Sequence, residues 1–232
     1  MPLLNKGNSK TVKGEKYGFR TFGLHLSPAN KSGFNVCHWS SAGCRVSCLD
    51  TAGRGCMSNV QKARIAKTKR FFTDKLGFMQ DLHKEIGSSI RNALKKELIP
   101  CFRLNLTSDL PWENIKYEGI SVLDKFSDRT FYDYTKGFTR MLAYLHGELP
   151  SNYHLTFSKS EVTTDEQINR VIELGGNVAV VFRDRLPKTY RGIEVVNGDD
   201  SDLRFKDKKG VIVGLIEKGL AKKDETGFVV EP

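Results

Sequence analysis

The chain has 232 residues, of which 39% are apolar, and a formal net charge of +10 from 37 basic and 27 acidic residues. That length suits one large domain with a real core, and the lack of any apolar run of about eighteen residues excludes a membrane-spanning helix. The positive excess is spread along the chain; it favours polyanionic partners, nucleic acid among them, without marking a binding stripe.

The opening residues lack the apolar stretch and cleavage site of a secretory signal, so the expected location is a reducing cytoplasm. Residues 1–16 are polar and Lys/Gly-rich and read as an N-terminal arm, leaving 17–232 as a single domain. Within it, Tyr17–Leu26 alternates apolar and polar positions, with Phe22, Leu24 and Leu26 in step, which predicts a first strand. Ser27-Pro28 ends that strand. A glycine-rich loop, residues 35–57, follows at once and carries Cys37, Cys44, Cys48 and Cys56, four of the five cysteines.

Ser58–Arg70 reads as a helix with Ser58 as N-cap. Its basic residues Lys62, Arg64, Lys67, Lys69 and Arg70 spread all round the axis and are expected in solvent. Asp74–Leu98 carries the strongest helical period, with Phe78, Leu82, Ile86, Ile90 and Leu94 recurring every fourth residue. Beyond Pro100 a theme repeats: short apolar strands, each ending in polar residues. They begin at Phe102, Phe131, Tyr153, Val178, Ile193 and Val211, with helices expected over Glu113–Phe126, Gly137–His146 and Thr164–Leu174. With the first strand this makes seven. Strands alternating with helices predict parallel βα units, and polar strand ends predict a site on the C-terminal face. The last connections are too short for helices. The expected fold is therefore α/β, an incomplete or irregular TIM-like βα barrel with its cysteine loop after the first strand; a flat doubly wound sheet is the rival.

The cysteine spacing is C-x6-C-x3-C-x7-C. In a reducing compartment such a cluster points to metal or catalysis before disulfides. A [4Fe-4S] cluster takes one thiolate per iron, so one flexible loop can wrap its corners, and glycines at 43, 53 and 55 suit that wrapping. Structural zinc is the competitor, but paired C-x2-C or C-x4-C knuckles are missing. The expected ligands are Cys37, Cys44, Cys48 and Cys56, with Cys101 buried in its strand and His38 a packed or surface imidazole. If Cys56 does not bind, one iron is left open.

Asn105, Ser108, Asp109, Asp133, Lys136, Ser158 and Arg183, together with Lys159, Asn197 and Asp199, are expected at the strand ends as a polar pocket for a substrate or for S-adenosylmethionine. Each could instead satisfy neighbouring groups, Asp133 with Lys136 for example. There is no Gly-x-Gly-x-x-Gly after a strand, no phosphate-binding Gly-Lys-Ser/Thr loop and no His-Glu-x-x-His.

A cysteine triad on the loop after the first strand of a βα barrel resembles the radical S-adenosylmethionine superfamily, although only Cys44 and Cys48 keep that family's first C-x3-C interval. More of the chain resembles a family of phage-encoded proteins named after a mycobacteriophage gene product. The matching stretches are Leu26-Ser-Pro, Asn35-Val-Cys37, Gly43-Cys44, Cys48-Leu49, Gly53-Arg54-Gly55, Ala63-Arg64 with Lys67-Thr68, Arg103-Leu-Asn with Ser108-Asp109, and Tyr132-Asp-Tyr-Thr-Lys136. The resemblance implies a viral protein working in the cytoplasm of a bacterial host. The function expected from residues and resemblance together is binding of a [4Fe-4S] cluster in a redox, electron-transfer or regulatory role, with a redox partner or small-molecule substrate. The alternatives are a radical S-adenosylmethionine enzyme with three cysteine ligands and a zinc-stabilised nucleic-acid-binding protein.

Overall fold

A computed structural model describes residues 1–5 and 11–232. In chain order the elements are β1 (Leu4–Asn5), β2 (Phe19–Leu24), α1 (Ala42–Val46), α2 (Ser58–Thr73), α3 (Lys75–Leu94) and β3 (Ile99–Arg103). Then come β4 (Lys116–Tyr117), β5 (Ile120–Ser121), α4 (Val122–Lys125), β6 (Thr130–Thr135), α5 (Phe138–Leu145), β7 (Tyr153–Ser158) and α6 (Asp165–Glu173). The last third adds β8 (Val178–Phe182), β9 (Thr189–Tyr190), β10 (Ile193–Asn197), β11 (Ile212–Ile216) and β12 (Val229–Val230), with no α-helix among them.

Ten strands form one sheet in the order β1-β2-β3-β6-β7-β8-β11-β10-β9, with β12 also on β8. The seven strands expected from the sequence are all present and all parallel; β1 and β9 close the two edges antiparallel. Among the described residues the two ends of the path do not pair, so no closed barrel forms; the expected incomplete or irregular barrel is seen as a large, mostly parallel sheet. It is not doubly wound either. The strand order follows the sequence as far as β8, and α2, α3, α5 and α6 all feed one apolar cluster on one face. Phe22, Phe102 and Phe131 run across that face in stacked rings, with centroids 5.8 and 5.2 Å apart. On the other face, Cys101 and Tyr132 pack under Leu203 and Phe205, which come from the short 3-10 turn Arg204–Lys206 and its N-cap.

The helix ends follow local chemistry. Asp74 caps α3 by accepting from the Gly77 N–H, and Thr164 with Gln167 forms a capping box on α6. Leu94, expected in the apolar stripe of α3, is 53% exposed. The helix expected over Glu113–Phe126 is replaced by a β4–β5 hairpin and the single turn of α4, because Glu118 (φ 53°) and Gly119 (φ 81°) take the left-handed conformations of a tight hairpin turn. The expected arm is only partly outside the fold: Leu3 and Leu4 are buried, and Leu4 pairs with Leu24. Its residues 6–10 lie outside the described residues. Two of the basic residues expected in solvent on α2 turn inward. Arg64 pairs with Asp50, and the Lys67 ammonium donates to the Leu3 carbonyl at 2.9 Å.

Candidate functional site

The loop between β2 and α2 folds over the C-terminal ends of the parallel strands. Cys37 bridges to Asp109 just beyond β3, and Glu161, beyond β7, accepts from the Ser41 hydroxyl at 2.6 Å and the Gly43 N–H at 2.7 Å. Ser47 donates to Asp224, ahead of β12. Gly43 has no room for a side chain, since a Cβ there would meet Thr226 and Glu161. Beneath the loop sits Asp50, fully buried, which accepts from Lys31 at 2.9 Å, from Gln61 at 2.8 Å and from Arg64. Burial alone would raise the Asp50 pKa. The bonds from Lys31, Gln61 and Arg64 outweigh it and hold the carboxyl below its ordinary range.

Cys37, Cys44 and Cys48 are half-buried and Cys56 is exposed. Burial pushes the Cys37 thiol up to about 12, and the charges of Cys48 and Cys44 add to the effect. Burial likewise pushes Cys48 up to about 11, again with Cys44 contributing, and raises Cys44. The three thiols therefore lie within electrostatic reach of one another. One of them accepts a backbone N–H bond, Cys37 from Ala29 at 3.3 Å. Ala29 holds a left-handed φ of 48° at that bond, a conformation worth about 1 kcal/mol of strain outside glycine. Lys136 and Arg45 bring positive charge to Cys44, and Lys31 brings it to Cys48. The exposed Cys56 donates its thiol to the Gly53 carbonyl at 2.9 Å. Among the described residues, no three His, Cys, Asp or Glu side chains are arranged to hold a metal ion as they stand. The thiols share a neighbourhood without converging on one point.

The strand-end residues do collect on this face, but most are already engaged. The Asn105 side-chain carbonyl accepts from Ser108, the Leu110 N–H and the Trp112 indole, organising its own loop. Asp109 accepts from the Lys136 N–H at 2.8 Å and from Arg140 at 3.0 Å. Asp133 does not pair with Lys136. It is buried and accepts from the Asn105 N–H and the Tyr153 hydroxyl, and burial, outweighing nearby Arg103, pushes its pKa up to about 7. Lys136 instead donates to the Ser158 hydroxyl at 2.9 Å and to the Ser158 and Lys159 carbonyls. Arg183 is tied to Glu231 and to the carbonyls of Lys222 and Asp224, and Asp199 to Lys218 and the Ile216 N–H. Cys101 lies buried in β3, 3.2 Å from the Thr21 hydroxyl. Sequence reading missed Asp50, Glu161 and Trp39, the last lying over the Arg140 guanidinium. Asp50 had one signal, a lone acid two residues after a cysteine with arginine and lysine on the following helix.

Fold and site together define a class: an open, mostly parallel α/β sheet with a thiol-rich loop across its strand C-termini. The gene product 88 profile matches residues 2–232, and the chain belongs to that phage gene-product family. No curated protein and no solved structure matches it. Among the described residues no helix is long and apolar enough to cross a membrane.

Proposed function

We propose that the protein binds a [4Fe-4S] cluster through Cys37, Cys44, Cys48 and Cys56, and serves a redox or regulatory role in the cytoplasm of an infected bacterial host. The observation carrying this reading is the set of three half-buried thiols on one loop, with the Cys37 sulfur accepting the Ala29 N–H at 3.3 Å. Such a bond stabilises thiolate over thiol and tunes the potential of an iron–sulfur centre. A bound cluster would supply one-electron chemistry. The chain's own part is to orient the Cys37 sulfur through Ala29 and to offset the thiolate charge with Lys31, Lys136 and Arg45. Zinc is the competitor, but the loop lacks the paired C-x2-C or C-x4-C knuckles usual for a structural zinc site.

Cys56 completes a four-thiolate set only if the Gly53–Cys56 turn opens. Its exposure and its bond to Gly53 favour a second reading, a radical S-adenosylmethionine enzyme with three cysteine ligands and an open iron. Metal analysis tests both. Protein purified without oxygen should carry iron and acid-labile sulfide, lost on Cys37→Ser, Cys44→Ser or Cys48→Ser; colourless protein with one zinc overturns both readings. S-adenosylmethionine should change the EPR spectrum of the reduced protein only if one iron lacks a thiolate. A Cys56→Ser variant that keeps its iron decides for the three-cysteine set.

A further inference from the structure

The loop between β2 and α2 faces solvent as well as the strand ends. From Ser27 to Thr73 the chain carries one acidic residue, Asp50, and it is buried against Lys31, Gln61 and Arg64. Arg45, Arg54 and Lys62 are exposed on the same stretch. The turn Gly219–Lys223 docks beside them. The Leu220 N–H donates to the Thr51 hydroxyl at 3.2 Å, and Cys44 packs against the apolar cluster that contains Ala221. This turn adds the exposed Lys222 and Lys223, with Glu225 just beyond it as the one exposed acid between Lys218 and Gly227. None of the five cations Arg45, Arg54, Lys62, Lys222 and Lys223 has a carboxylate partner among the described residues. Their neighbours Lys218 and Arg183 are paired, with Asp199 and Glu231.

Interleaved with these cations are Val46, Leu49, Met57 and Leu220, which are 48–57% exposed. Apolar side chains gathered in water and rimmed by charge mark a contact surface. An apolar centre inside a polar rim is the anatomy of a protein–protein interface. None of the four is aromatic, so they offer no stacking faces of the kind that hold the bases of a nucleic acid.

We infer that this face docks an acidic electron-carrier protein over the cysteine loop. Unopposed cations around the contact would steer a partner of opposite charge and set its orientation. Electron-transfer encounters are small, burying less than about 1,200 Å² in total, a scale that suits four apolar side chains and their rim. The docking depends on side chains that are not proposed ligands. That the partner carries electrons rests on the cluster reading.

The test is isothermal titration of full-length protein, purified without oxygen and with its iron measured separately, against a bacterial ferredoxin and a bacterial flavodoxin. At least one of these acidic carriers should bind at low salt and weaken steeply as salt rises. Arg54→Glu, Leu49→Asp and the double variant Lys222→Glu with Lys223→Glu should each weaken binding at least about tenfold with unchanged circular dichroism spectra. Lys95→Glu with Lys96→Glu, exposed ahead of β3 at the far end of the sheet, should leave binding unchanged. The assignment is overturned if neither carrier binds, or if the Lys95 and Lys96 changes cost as much as those on the loop. It is also overturned if a single-stranded DNA binds more tightly than both carriers and loses affinity in the same loop variants. Iron-free protein that still binds keeps the docking face and removes the cluster alone; iron-loaded protein that does not bind removes the docking face alone.

Discussion

Replacing Asp50 by asparagine should loosen the floor under the cysteine loop. The carboxylate is fully buried and holds Lys31, Gln61 and Arg64 together. The Arg64 side chain is only 10% exposed, so it would keep its charge without a counter-ion; Lys31, at 44%, can swing out to water. Removing one partner of a buried pair costs about 3–5 kcal/mol. Asparagine can still accept from Gln61, which places Asp50→Asn at about 3 kcal/mol. For a chain of this size that corresponds to a fall in Tm of about 6–12 °C, measurable by circular dichroism at pH 7. The pH dependence supplies a second reading. The folded-state pKa lies below the unfolded one, so the stabilisation is full above the ordinary carboxylate value and disappears as pH falls through the folded pKa. The gap between wild type and variant should therefore close in acid. A variant within about 1 kcal/mol of wild type at pH 7, or a gap that persists at low pH, would refute the reasoning.

Asp133 should behave oppositely. Its pKa is raised to about 7, so the fold favours the protonated form and stability should decline as pH rises from the ordinary carboxylate range towards 7; Asp133→Asn should flatten that decline in urea titrations. Gly137→Ala would set a Cβ 2.8 Å from the Trp39 ring, and overpacking of this kind costs about 1–3 kcal/mol. Its readout is tryptophan fluorescence, which should change as Trp39 is displaced while Trp112 stays buried; an unchanged spectrum counts against the contact. Gly43→Ala, crowding Thr226 and Glu161, should lower the iron content of anaerobically purified protein relative to wild type, and full retention would show that the Glu161 clamp on the loop is dispensable.

The seven parallel strands were legible because each is a short apolar run ended by polar residues, as in Val178–Phe182. Their lateral order was not. β11 sits between β8 and β10, and no local pattern records which of two short, helix-free strands pairs with β8. The lost helix after Pro111 had a readable warning: Tyr117-Glu118-Gly119-Ile120 places glycine at a hairpin turn, but the apolar spacing of Ile115, Val122 and Phe126 imitated a helical period. Arg64 and Lys67 escaped because charge on a helix ordinarily faces water, and only the position of Asp50 and Leu3 explains their burial. The half-burial of Cys37, Cys44 and Cys48 and the exposure of Cys56 were not legible, since spacing alone does not encode the turn Gly53–Cys56.

The placement of β11 also governs how the chain can be made. During synthesis β10 leaves the ribosome before the strand it must lie beside, so Val195 and Val196 wait without a parallel neighbour until residues 212–216 emerge. An unpaired strand edge invites association with other chains. A nascent chain stalled before residue 211 would hold the complete cysteine loop and β1–β8 together with a β9–β10 pair whose other edge is open. Emergence of residues 212–216 is thus what covers the open edge of β10 and joins it to β8.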